Sequence, residues 1–341
     1  MDNKSFSLAH AVKHTSDLSK PFTFAVAPMM KWTDRHCRFF HRLISRHTLL
    51  YTEMVSTGAI LWGPRQKLLE FHPSEHPVAL QIGGSEPIHL AKCAVIAEQL
   101  GYDEINLNIG CPSDRVQNGR FGACLMAEPE LVAEGIAEMK AATTLPVTVK
   151  SRIGIKDEES YEELHNFIDT VAKAGCNTFI IHARRAILEG LSPRENREIP
   201  PLRYDFVQQI KEDFPKLKII LNGGIVTLDQ AMKETITLNG VMMGREAYHN
   251  PYVLSEVDRK VFGDKRKPLS RIEIAVAFIP YVKTQLEAGV PLTNITRHIL
   301  GLFHSQPGGR LWRRHLSEYS NKRDSNETII QNALKYVSAP T

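Results

Sequence analysis

From Phe22 onward the chain alternates between two patterns: short runs of apolar, often β-branched residues, and longer stretches whose apolar positions recur every three or four residues. Eight short runs read as strands: Phe24–Ala27, Leu50–Met54, Val78–Ile82, Glu104–Asn108, Val147–Lys150, Thr178–His182, Lys218–Asn222 and Gly240–Met243. Measured between Pro28, Glu53, Gln81, Asn108, Lys150, His182, Asn222 and Gly244, where the runs end, the steps are 22 to 42 residues, the span of a strand, a helix and two short loops. The stretch after the third run has Pro87 near its start and Gly101 at its end, as a helix should. Eight such repeats predict an α/β fold, a (β/α)8 TIM barrel, over a doubly wound sheet.

After Asn250-Pro251 the strand-like runs stop. Helical spacing continues over Arg271–Leu286, Leu292–Phe303, Gly309–Ser320 and Glu327–Val337, broken by Lys267-Pro268, Gly289-Val290-Pro291 and Gln306-Pro307-Gly308-Gly309. That predicts a small all-helical bundle. Residues 1–20 are polar and aperiodic and read as a loosely held leader. The expected organisation is therefore a leader (1–20), a barrel (21–250) and a helical domain (251–341).

Composition narrows the class. With 43% hydrophobic and 23% charged residues among 341, disorder, collagen and coiled coil are excluded. Apolar stretches fall short of a membrane span, and the first residues lack the apolar segment of a signal peptide, so a cytoplasmic protein with no membrane partner is expected. Five scattered cysteines (Cys37, Cys93, Cys111, Cys124, Cys176) without a C-x-x-C pair predict lone thiols, with no disulfide framework and no metal site. The net charge of +4 is uneven: residues 251–341 hold 14 Lys/Arg against 8 Asp/Glu, which leaves residues 1–250 at −2. In the tail, Arg297, Arg310, Arg313, Arg314, Lys322 and Arg323 interleave with His298, His304, His315, Trp312 and Tyr319. A solvated helix face and a polyanion-binding surface both fit this pattern.

The active face of a barrel lies at the C-terminal ends of its strands. Here those ends carry Pro28-Met29-Met30, Glu53-Met54, Gln81, Asn106 and Asn108, Lys150, His182, Asn222-Gly223-Gly224 and Gly244-Arg245. Any one of them, Gln81 or His182 included, is ordinarily a hydrogen-bonded structural residue. So many polar ends on apolar runs point instead to a ligand, because an unpartnered buried polar group costs about 2–7 kcal/mol. The seventh and eighth strand ends are the usual phosphate corner of such barrels, and glycines there let backbone N–H groups approach an anion, with Arg245 as its charged partner. Lys150 offers positive charge to an electron-rich ring, and Gln81 can both donate and accept at the edge of a planar heterocycle. His182 can bind phosphate or a ring oxygen. The set reads as a cradle for flavin mononucleotide, FMN. After the fourth run, Gly110 and Pro112 bracket Cys111 in a turn. A thiol of ordinary pKa is protonated at neutral pH and can act as a general acid.

At this loop a family resemblance becomes specific. N-I-G-C-P-S (108–113) and G-R-F-G-A-C-L-M (119–126), with A-P-M-M at the first strand, V-K-S-R-I-G at the fifth, F-I-I-H-A-R at the sixth, N-G-G-I at the seventh and M-M-G-R at the eighth, resemble the tRNA-dihydrouridine synthases. The tail G-L-F-H-S-Q-P-G-G-R-L-W-R-R-H-L and the loop after the sixth strand are similar to the branch that reduces D-loop uridines 20 and 20a. The resemblance implies an FMN-dependent NAD(P)H oxidoreductase acting on the CH–CH bond of uracil in tRNA, with NADPH or NADH as reductant. It implies FMN contacts at Pro28, Met29, Met30, Gln81, Lys150, His182, Asn222, Gly223, Gly224, Gly244 and Arg245. It further implies Cys111 as the proton donor to carbon 5, and tRNA contacts at Asn108, Arg194, Arg197, Arg310 and Arg313. No protein partner is evident. Two other readings are an FMN barrel acting on a free pyrimidine or enone, which leaves the +6 tail unexplained, and a non-catalytic tRNA-binding or folding protein, which leaves Cys111, Lys150 and His182 without a task.

Overall fold

The computed structural model describes residues 22–155, 160–322 and 324–337; the predicted leader and Arg323 lie outside the described residues. Nine parallel strands form the sheet: β1 (Thr23–Val26), β2 (Leu49–Tyr51), β3 (Val55–Ser56), β4 (Val78–Gly83), β5 (Glu104–Ile109), β6 (Val147–Arg152), β7 (Thr178–His182), β8 (Lys218–Asn222) and β9 (Gly240–Met243). β1 pairs with both β2 and β9, β2 pairs with β4, and β4 to β9 follow in order, so eight strands close a ring. The two-residue β3 pairs only with the end of β4. All eight predicted runs are barrel strands.

β2 is shorter than its apolar run. At Thr52 the backbone N–H still bonds the Ala79 carbonyl, but the Thr52 hydroxyl takes the Gln81 N–H and ends the ladder. Glu53 therefore leaves the sheet, and its carboxylate accepts the Lys31 N–H.

Strand residues alternate between two faces. The outward faces join the surrounding helices in one large apolar core. The inward faces form a second layer in which Ala25, Ala27 and Ala79 leave room for Tyr51, Ile180, Ile220 and Met242. The other polar side chains on the inward faces of β4, β5 and β6 are Gln81, Glu104, Asn106, Asn108, Thr148, Lys150 and Arg152. The barrel is thus dry on one side and hydrogen-bonded on the other.

The residues after Asn250 are helical, with main helices Arg271–Glu287, Leu292–Thr296, Gly309–Tyr319 and Thr328–Leu334. The first carries a capping box, Ser270 with Glu273. The predicted helix Leu292–Phe303 is broken. Thr296 turns its hydroxyl back onto the Leu292 carbonyl, and the buried Trp312 indole donates to the Ile299 carbonyl at 3.1 Å, which diverts an acceptor from continued helix. These helices pack on the barrel through the helix Arg35–Ile44, where Tyr281 stacks on Phe39 and its hydroxyl meets His36 at 2.8 Å. Asp34 caps that helix and also takes Arg297 and His298 from the tail. Among the described residues, no helix is long and apolar enough to cross a membrane.

Candidate active site

The C-terminal strand ends surround a cavity of about 480 Å³. Pro28, Met29, Met30, Gln81, Asn108, Cys111, Lys150, His182, Arg197, Asn222, Gly223, Gly224, Gly244 and Arg245 all line it. Arg194 does not, and its largely exposed side chain lies 3.7 Å from Glu198.

Cys111 is presented by an asparagine turn rather than by glycine and proline alone. Asn108, next to last in β5, accepts at its side-chain oxygen both the Gly110 N–H (3.1 Å) and the Cys111 N–H (3.0 Å). The Cys111 carbonyl in turn accepts the Ala123 N–H at 3.0 Å, which ties the turn to the G-A-C-L-M segment. Its thiol sits 3.5 Å from the Ser113 hydroxyl and is partly open to the cavity. The Asn108 amide nitrogen donates to Gln81 at 2.9 Å, and Gln81 donates to Asn106 at 2.8 Å. Asn106 then donates to Thr148 (2.8 Å), whose hydroxyl donates to Glu104 (2.7 Å). Tyr51 completes the Glu104 site with its own hydroxyl.

Positive charge dominates the opposite wall. Lys150 has no hydrogen-bond or ion-pair partner among the described residues; loss of hydration, reinforced by Arg152 nearby, lowers its pKa to about 7. His182 is held neutral by burial and by the cations Arg152, Lys150, Arg184 and Arg197. The Arg197 Nε is buried without a partner, as is the Arg184 Nε. An apolar-backed pocket with unneutralised cations is electrostatically incomplete until an anionic ligand enters.

Arg152 lines this wall too, and the sequence reading did not single it out. Its guanidinium donates to the carbonyls of Gly110 (3.2 Å), Arg185 (3.1 Å) and Asn196 (2.8 Å), which locks the Cys111 turn to the loop after β7. The signal was available: two positions beyond Lys150 in a strand, a side chain returns to the same face. Met54, also at an expected strand end, lines the cavity, and Trp32, Pro193, Ile225, Val226 and Glu246 line it beyond the expected set.

The corner after β8 is shaped by two glycines. Gly223 has φ +110° and Gly224 φ +70°, and the Tyr204 hydroxyl donates to the Gly223 carbonyl at 2.6 Å. A Cβ on Gly223 would lie 2.4 Å from the His182 ring, and one on Gly224 would lie 2.4 Å from Leu202. Gly223→Ala is therefore expected to displace His182 and to weaken ligand binding in the cavity by at least about tenfold, measured by titration; unchanged affinity would contradict the tight corner. Arg245 reaches the same side but pairs with Glu198 at 2.6 Å.

In the tail, Arg310 and Arg313 are exposed on the helix Gly309–Tyr319, without ion-pair partners among the described residues. The interleaved aromatics divide. Trp312 and His298 are buried packing residues, and Arg314 pairs with Glu318, so only part of the basic, aromatic pattern forms a free surface.

The closed parallel barrel with a cationic mouth and a thiol on the loop after its fourth strand defines a barrel enzyme, and comparison with known proteins assigns its class. The chain belongs to the dihydrouridine synthase family, whose model matches residues 25–338. It is 56% identical over 319 residues to a tRNA-dihydrouridine(20/20a) synthase of Shewanella oneidensis, covering 94% of each chain. It is 58% identical to the protein of that name from Vibrio cholerae (91% of this chain, 95% of the other) and 54% identical to that from Escherichia coli (96% and 95%). Among solved structures, the complex of 2-naphthoyl-CoA reductase with 2-naphthoyl-CoA superimposes with TM-score 0.54 at 11% identity, over 69% of this chain and 49% of that longer one. That likeness concerns the barrel fold.

Proposed function

We propose that the protein reduces uridines 20 and 20a of tRNA to 5,6-dihydrouridine, with FMN held in the barrel mouth and NADPH or NADH as reductant. One observation carries this reading: a single cavity brings together the Cys111 thiol, an unneutralised Lys150 and a glycine-lined corner at the seventh and eighth barrel strands. The names of the bacterial relatives support the same substrate. The residues fit the cofactor: the cavity of about 480 Å³ has the size of a cofactor site, and Lys150 in its wall has no acidic partner among the described residues. Gly223, Gly224, Gly244 and Arg245 would hold the phosphate, and Gln81, Lys150, His182 and the Pro28-Met29-Met30 segment the ring and its chain. When bound, reduced FMN would supply a hydride to carbon 6 of the uracil, and the nicotinamide would supply the hydride that renews it.

The chain's own residues do the rest. Cys111 delivers a proton from Sγ to carbon 5 of the uracil. Asn108, beside it, offers an N–H to a uracil carbonyl. A base stacked in a folded tRNA cannot reach this cavity, so the target uridine must turn out of its stack. In this reading residues 251–341 form a tRNA-binding domain, Arg197 at the mouth and the exposed Arg194 outside it add tRNA contacts, and the enzyme works in the cytoplasm.

The purified protein should bind flavin in a 1:1 ratio and form dihydrouridine in an unmodified tRNA transcript while leaving free uridine unreduced. Reduction of the free nucleoside at comparable efficiency would overturn the tRNA assignment. Arg310→Ala combined with Arg313→Ala should weaken tRNA binding about uniformly across sequences and lower the salt slope by roughly two units. An unchanged slope would remove the tail from the interface.

A further inference from the structure

The polar chain inside the barrel has a direction. The N–H groups of Gly110 and Cys111 donate to Asn108, Asn108 to Gln81, Gln81 to Asn106, Asn106 to Thr148, and Thr148 to Glu104. Both ends set a direction, the second for as long as Glu104 is ionised. Backbone N–H groups only donate, and the Glu104 carboxylate, which also accepts from Tyr51, only accepts when ionised. Between them stand three side-chain amides, each able to present either its oxygen or its nitrogen. One orientation of all three satisfies both ends; flipping any one of them sets donor against donor or acceptor against acceptor. The register of the sheet makes the relay continuous, since Gln81 lies opposite Asn106 and Asn106 opposite Thr148. Asn106, Gln81, Thr148 and Glu104 are all buried.

This direction has a consequence at the cavity. The Gln81 oxygen accepts from Asn108, and the Asn108 oxygen accepts twice from the Cys111 turn, so each of these two cavity-lining amides keeps one N–H that the chain does not use.

We propose that Glu104, on the barrel floor, is a positioning residue that acts through Thr148, Asn106 and Gln81 to hold the Asn108 amide in the orientation that caps the Cys111 turn and turns N–H donors toward a heterocycle's acceptor edge. Part of this proposal rests on the flavin and uracil reading above; the positioning of the turn does not. Burial of Glu104 raises its pKa to about 7 in spite of the two hydroxyl donors, so a carboxyl is kept here at an energetic cost that packing alone does not explain.

The test uses Thr148→Val, which keeps the shape and removes the hydroxyl link, and Thr148→Ser, which restores it. In the flavin-free protein, deuterium uptake in a peptide spanning residues 108–113 should rise about five- to tenfold in Thr148→Val and stay at the wild-type rate in Thr148→Ser. Glu104→Met should produce the same rise, and the Glu104→Met, Thr148→Val double variant no more than either alone, because both cut one chain. FMN affinity should follow, about tenfold weaker in Thr148→Val and recovered in Thr148→Ser. Unchanged uptake in Thr148→Val, equal uptake in the Val and Ser variants, or additive effects in the double variant would each overturn the proposal. The exchange readout needs neither flavin nor tRNA, so its failure and a failure of the proposed reaction are told apart.

Discussion

Cys111→Ala is expected to lower dihydrouridine formation by about 10²–10⁴-fold, the usual contribution of a positioned general acid, while leaving FMN content and tRNA affinity near wild type. The structure explains why those properties should separate. What holds the turn is the Cys111 backbone, through its N–H to Asn108 and its carbonyl to Ala123, and alanine keeps both. The thiol itself meets only Ser113 and the cavity. Cys111→Ser tests the chemistry more sharply. It keeps the size and a proton, but an alcohol is a far weaker acid than a thiol, so turnover should stay close to that of the alanine variant. Undiminished turnover in Cys111→Ala with flavin bound would refute the proton-donor role.

Lys150→Met is expected to change stability and function in opposite directions. In the flavin-free protein the ammonium is dehydrated, faces Arg152 and has no acid partner among the described residues. Replacing it with an apolar side chain of similar length removes that penalty and should stabilise the fold by about 1–4 kcal/mol, read from denaturant unfolding. The same change removes the positive charge beside the ring. Turnover should fall about 100-fold, which corresponds to about 2.7 kcal/mol of transition-state stabilisation. A variant that loses both stability and activity would show instead that Lys150 is a structural residue.

Much of this molecule could be read along the chain, for a physical reason. A parallel barrel buries both strand faces, so its strands stand out as apolar runs bounded by turns, and the repeat length reports the crossover helices. The cavity residues were legible because each interrupts such a run at its C-terminal end, as Gln81, Lys150, His182 and Asn222 do. What escaped depended on pairing between strands. Glu104 and Thr148 look like ordinary strand polarity until the register sets Asn106 between Gln81 and Thr148. Arg152 was hidden similarly, because its task is to hold three carbonyls from segments distant in sequence. In the tail, Trp312 was misleading: helical spacing placed it among arginines, and only the fold shows its indole turned inward onto Ile299. The break at Thr296 had no propensity signal strong enough to end a helix; it accompanies a local bond from the Thr296 hydroxyl to the Leu292 carbonyl and tertiary bonds from Thr296 to Ser320 and from Trp312 to Ile299.

The identity of the reduced base decides what this barrel does. Mapping dihydrouridine at single-nucleotide resolution in tRNA from cells lacking this protein should show its loss at positions 20 and 20a and its retention elsewhere, with restoration by the wild-type chain and not by Cys111→Ala. Unaltered dihydrouridine at positions 20 and 20a, in tRNAs that normally carry it, would contradict the assignment of this barrel to those two uridines.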